Sequence, residues 1–203
     1  EYDTDITIRA AETKTFNDQR IDFKKLKAIS GVKAYSRAVE EVVILKHEKK
    51  WVNTKLVGVE DEFLTMTNLE KHMVERGRSV LHEHTTDYGI IGATLLDKLG
   101  GFVPDNVGYE SVVCYVPKRK IKVGFGKNPF KTQAILISGK MSYNREVNAE
   151  NFIIPLELAQ YLMGYEDHVS AVYIDVKEGF VNENVKAAII KELGDDFIVK
   201  TNF

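Results

Sequence analysis

The chain opens and closes on the same plan, and that repetition narrows the folds open to it. Near the start, "DITIRA" (Asp5–Ala10) alternates as a half-buried strand does, with Ile6 and Ile8 on one face. Asp22 then caps a short helix in which Phe23, Leu26 and Ile29 recur at threes, and Gly31 supplies its C-terminal stop. A long β-prone segment, Val32 to Val59, follows. Near the end, "VSAVYIDV" (Val169–Val176) reads as a strand, and Asn182 as the cap of a helix with Val185, Ala188, Ile189 and Leu193 on one side. Gly194 closes that helix, and "FIVKT" (Phe197–Thr201) is the last strand. Two strand–helix–strand units commonly build one α+β sheet with helices on a face.

The middle has another texture. "DEFLTMTNLEKHMV" (Asp61–Val74) is helical in part, and "GIIGATLLDKLGG" (Gly89–Gly101) runs from a strand into a helix that buries Leu95, Leu96 and Leu99. "NFIIPLELAQYLMG" (Asn151–Gly164) does the same, with Pro155 in the first turn, where its missing N–H costs nothing. Four prolines and no Ser/Gly linker fit a compact insertion. The expectation is an α+β fold in two subdomains, residues 1–56 and 166–203 forming one around an inserted 57–165.

Between the strands Val112–Val116 and Thr132–Ser138 lies a stretch dense in positive charge. Lys118, Arg119, Lys120, Lys122, Lys127 and Lys131 stand there with no acid, in a chain of net charge −2. Near-neutrality argues against a dedicated nucleic-acid binder, which carries a basic excess over the whole domain. A phosphate-binding Walker loop is excluded, because Gly126-Lys127 is followed by Asn128 and Pro129 and then by a strand. Two readings stay open: a solvated loop, or a hairpin over 117–132 with a basic stem and an apolar tip (Val123, Phe125, Phe130). Exposed apolar residues on a loop mark a contact surface.

Other chemistry is sparse. His82 and His84 in "HEHTTD" would share a face if the segment were a strand, and Asp87 is near, but no third histidine or cysteine completes a structural zinc set. No metal or cofactor is expected. Cys114, the single cysteine, lies in the apolar run "SVVCYV" and reads as a core residue. The acids Glu40-Glu41, Glu60-Asp61-Glu62 and Asp195-Asp196 read as solvated surface. Nothing has the pattern of an active site, and no enzyme activity is expected. No window of 18 or more apolar residues exists to span a bilayer. The first residues are polar and acidic, unlike a signal peptide. Because the chain opens on Glu1, it is expected to be a piece of something longer.

The order of "VGVEDEF" (Val57–Phe63), "GIIGATLLDKLGG", "VNAENFIIPLELAQYLMG" and "VSAVYIDVKE" resembles the extracytoplasmic domain of FtsX-like ABC transporter permeases, the MacB-type periplasmic core. Within that family it is most similar to the lipoprotein-releasing permeases LolC and LolE. The chain departs from the family at Val103-Pro104-Asp105 and at Gly139-Lys140-Met141. The resemblance implies a porter-like subdomain (1–56 and 166–203) carrying an inserted sabre-like one (57–165). It implies an inner-membrane permease with this domain in the periplasm, and ATP hydrolysis on a separate ATP-binding subunit. It also implies a second permease subunit, a lipoprotein cargo and a periplasmic lipoprotein carrier gripped by the hairpin. Lys118, Lys120, Lys122, Val123, Phe125, Pro129 and Phe130 would then be the partner-binding residues. The rival expectations are an efflux permease domain contacting an adaptor, a signalling permease controlling a cell-wall hydrolase, and a free-standing binding protein.

Overall fold

The computed structural model describes residues 2–75, 77–101, 110–118 and 129–202. In chain order the elements are β1 (Ile6–Ala10), β2 (Phe16–Asn17), α1 (Phe23–Ala28), β3 (Val32–His47), β4 (Lys50–Val59), α2 (Glu62–Met66), β5 (Met73–Val74), β6 (His82–Glu83) and β7 (Thr86–Gly92). There follow α3 (Ala93–Leu99), β8 (Ser111–Pro117), β9 (Phe130–Met141), α4 (Arg145–Glu150), β10 (Asn151–Pro155), α5 (Leu156–Met163), β11 (His168–Val169), β12 (Ala171–Val176), α6 (Asn182–Leu193) and β13 (Phe197–Thr201).

Local chemistry explains most of these boundaries. The Asp22 carboxylate accepts from the amides of Lys24 and Lys25 and so starts α1. The expected Asn182 cap is corrected: Val181 holds the cap position without a side-chain bond, and Asn182 is already helical. The β-prone segment 32–59 folds into one long hairpin, turned at Glu48 with φ +53°. Pro155 ends β10 and caps α5 instead of lying inside it.

Most strands belong to one sheet, ordered β13-β1-β12-β3-β4-β10-β7-β9-β5. β1 runs between β12 and β13, with Ile6 level with both Ile174 and Thr201. Asn202 donates to the Thr4 carbonyl and accepts from Thr7, which ties the last residues to the first. β3 is long enough to serve two neighbours on one edge. Its first half pairs β12, and Ile44–Lys46 pair β8, while β4 occupies the other edge. Since β8 also pairs β9, β9 pairs β7, β7 pairs β10 and β10 pairs β4, these six strands close a ring.

Alternation along the strands sorts apolar side chains into two cores. Val43, Leu45, Leu56, Ile91, Phe152 and Ile154 face one, which α1, α3, α5 and α6 cover. Val57, Ile90 and Ile153 face the other, under Phe63 of α2 and Tyr2. All five residues of β10 are therefore buried, as expected of a strand covered on both faces. Cys114 lies in the first core, and burial pushes its thiol up to about 12, so it packs as an inert apolar residue.

One carboxylate sits against the fold's interest. Asp175 on β12 is raised to about 6, first by burial and then by neighbouring Asp5, against the smaller pull of Lys33. A raised carboxyl pKa means that ionisation weakens the folded state. The penalty is absent below the unfolded value near 4, grows as pH rises towards 6, and is complete above it. Asp175→Asn is therefore expected to stabilise the protein by about 1 kcal/mol at pH 8, discounted for partial solvent access, and to add little at pH 4. Urea unfolding at the two pH values checks the difference.

Candidate functional site

The densest exposed aromatic and basic chemistry among the described residues lies where β8 and β9 leave the ring. These strands pair from Ser111↔Leu136 to Pro117↔Phe130, and the Lys118 amide continues the ladder to the Pro129 carbonyl at 2.9 Å. Of the residues singled out in sequence, Lys118 and Pro129 are exposed at this base and Phe130 is half-buried. Lys120, Lys122, Val123 and Phe125 lie outside the described residues.

Strand alternation builds the surface here. Val112, Cys114 and Val116 point into the core, so Tyr115 must point out. Trp51 of β4 lies across from Lys46 of β3, and Tyr115 lies across from Ile44. The rings of Trp51 and Tyr115 then meet at 4.8 Å, and Tyr115 meets Phe130 edge-on at 6.2 Å. Trp51 is 52% exposed, a high figure for the largest side chain in the chain. The Lys46 ammonium sits 4.6 Å from the Trp51 ring centroid. On α5, Tyr161 is 61% exposed, and Lys131 lies 3.4 Å from its ring centroid while donating to its carbonyl at 3.1 Å. Cations held over aromatic faces keep both groups at the surface and pre-arranged. Such an arrangement offers apolar anchors within a positive field, which suits a protein partner with acidic and apolar groups.

Sequence reasoning passed over Trp51 and Tyr161. The available signal was the chain's one tryptophan standing in "KHEKKWVNTK", a polar hairpin where a buried tryptophan would be out of place.

The other candidates resolve differently. His84 adopts φ +57°, a left-handed turn, and β6 holds only His82 and Glu83, so the two histidines do not alternate on a strand. His82 instead pairs with Asp87 at 2.9 Å and approaches Asp61 at 3.9 Å. Among the described residues no group of three or more His, Cys, Asp or Glu is placed to hold a metal.

The reading of Glu40, Glu41 and Glu60 as solvated is corrected. Glu40 forms a paired contact with Arg9 at 3.0 and 3.2 Å and accepts from the Tyr173 hydroxyl. Glu41 accepts from Tyr165 at 2.8 Å and pairs with Lys14. Glu60 and Asp18 clamp Arg37 from two sides, at 2.6 and 2.7 Å, and the Glu60 hydrogen bond raises the guanidinium pKa despite burial. These acids sit within strands or at strand ends, and each is committed to a cross-strand partner.

No protein-family model and no curated protein match the sequence. Solved structures share the fold. The periplasmic region of MacB from Actinobacillus actinomycetemcomitans superposes with a TM-score of 0.64 at 14% identity, over 98% of this chain and 89% of that one. The extracellular domain of the noncanonic ABC-type transporter YknZ from Gram-positive bacteria gives 0.63 at 15% identity, over 98% and 100%. A domain assigned to a permease protein from Porphyromonas gingivalis gives 0.55 at 18% identity, over 98% and 88%. At such identities the likeness defines the fold alone, which this chain shares with the periplasmic region of MacB and the extracellular domain of YknZ.

Proposed function

We propose that the chain is the extracytoplasmic domain of an ABC transporter permease of the inner membrane, and that it releases lipoproteins to a periplasmic carrier. The observation that carries the first part is structural likeness over nearly the whole chain to domains of MacB and YknZ. No helix among the described residues is long and apolar enough to cross a membrane, which suits a domain standing outside the bilayer. The domain performs no chemistry itself. An ATP-binding subunit hydrolyses nucleotide, a second permease subunit completes the membrane part, and this domain conveys the motion to cargo or carrier. In this reading the domain has two subdomains, residues 1–56 with 166–203 and an inserted 57–165.

The lipoprotein reading, close to LolC and LolE, is supported by the described ends of the basic segment 117–132, Lys118 and Pro129–Lys131, which lie beside the aromatic row of Trp51, Tyr115 and Phe130. In this reading Phe125, Val123, Pro129 and Phe130 supply apolar anchors, while Lys118, Lys120 and Lys122 steer an acidic partner. The second reading, an efflux permease domain contacting an adaptor, draws on the likeness to MacB.

Calorimetry of the purified chain with the lipoprotein carrier of the same organism tests the proposal. A central aromatic anchor contributes about 2 kcal/mol or more, so Phe125→Ala is expected to weaken binding roughly thirtyfold at any salt concentration. Alanine at Lys118, Lys120 and Lys122 is expected to slow association, mostly at low salt. Carrier binding that survives deletion of residues 120–127 would remove the hairpin from the mechanism. Failure to bind the carrier, with capture of a periplasmic adaptor, would favour the second reading.

A further inference from the structure

The sheet face that bears the second core is covered only in part. Beyond Tyr2 and Tyr173 it opens, towards β13, into a cleft of about 350 Å³ walled by Val147 of α4. That volume falls in the range of small-molecule sites. The floor of the cleft is made of side chains that β1, β12, β3 and β4 point the same way.

The charges in it are unevenly spent. Arg9 and Glu40 satisfy one another at the floor, and Tyr173 donates to Glu40 as well. Glu146 at the wall also has a partner. Lys55 and Lys200 line the same cleft, and among the described residues neither has an ion-pair or hydrogen-bond partner. Among the described residues that line it, three cations stand against two acids, and the two uncommitted cations come from different walls. Lys200 is on β13 and Lys55 on β4, four places apart in the strand order. Lys200 is level with Ser36 of β3, through Thr7 and Tyr173, whereas Lys55 is level with Val42, six residues further along. At about 4.8 Å per strand and about 3.3 Å per residue their backbones would stand roughly 28 Å apart in a flat sheet. A single small oxyanion on one ammonium therefore leaves the other unserved. Half-exposed Ile198 and Ala10 give the space between them an apolar edge.

We propose that this cleft binds an elongated organic molecule carrying an acidic group at each end, one on Lys55 and one on Lys200, its body lying across the Arg9–Glu40 pair. Once one end is held, the second contact is intramolecular, so a molecule of the right length gains affinity that neither end has alone. The inference is independent of the permease reading, since it uses neither the hairpin nor the aromatic row.

Chain-length dependence is the test. Azelate, succinate, octanoate and inorganic phosphate are titrated into the isotope-labelled chain, and amide shifts are followed. The expected result is that azelate binds at least tenfold more tightly than the other three and shifts residues of β1, β13 and β4. Lys55→Gln and Lys200→Gln each reduce azelate to the affinity of octanoate, while unfolding midpoints stay near that of the parent chain. Lys200→Arg, which keeps the charge, retains at least part of the preference. Equal binding of all four probes, no azelate binding, or azelate binding unchanged in the double glutamine variant would each overturn the proposal.

Discussion

Replacing Phe152 with alanine is expected to lower the unfolding free energy by about 4 kcal/mol, a large share of a typical domain's stability. Phe152 is fully buried on β10, level with Leu56 on one side and Ile91 on the other. Its ring also fills the space above Gly89, where an added Cβ would stand 2.2 Å from a ring carbon. Neighbours on β4 and β7 are held by their own ladders, so they cannot collapse into the void. Phe152→Leu, which keeps most of the volume, is expected to cost about 1.5 kcal/mol or less. Urea unfolding of the two variants orders them; equal losses would contradict this packing.

Gly92→Ala is expected to destabilise the protein by about 3 kcal/mol. Gly92 joins β7 to α3 with φ −59°, so backbone conformation tolerates any residue there. Space does not. A Cβ would lie 2.3 Å from the Asn148 carbonyl oxygen and 2.7 Å from that of Val147, both backbone atoms of α4. Backbone cannot turn aside as a side chain can, and α4 would have to move outward. In an open site the same substitution would stabilise by up to about 1 kcal/mol through the unfolded state, so even the sign is informative. Because Val147 walls the acidic-ligand cleft, Gly92→Ala is also expected to weaken azelate binding; thermal unfolding and titration of one preparation measure both.

Much of the local structure was legible. β13 spans Phe197–Thr201 and β1 spans Ile6–Ala10, where alternation placed them. α3 buries Leu95, Leu96 and Leu99, the residues its spacing put on one side. The candidate surface was legible only in its basic half. Lys118 and Pro129 stand exposed where β8 ends and β9 begins, and Trp51 joins this surface from a strand more than sixty residues away. The histidine pair failed because a left-handed residue at His84 broke the alternation assumed for it.

What the sequence by itself determined is what neighbouring residues settle among themselves: where apolar side chains recur at twos or threes, where Asp22 satisfies two amides, where Gly31 at φ +95° ends a turn. Only the tertiary structure decided which strands meet. β3 finds β8 some seventy residues later and closes the ring, and β1 is held between two strands from the far end of the chain. Glu40 looks solvated until Arg9 and Tyr173 arrive from other strands, whereas Lys55 ends without a hydrogen bond or ion pair among the described residues. A charge has no partner until the chain is folded, and neither partnering nor its absence has a local period to be read.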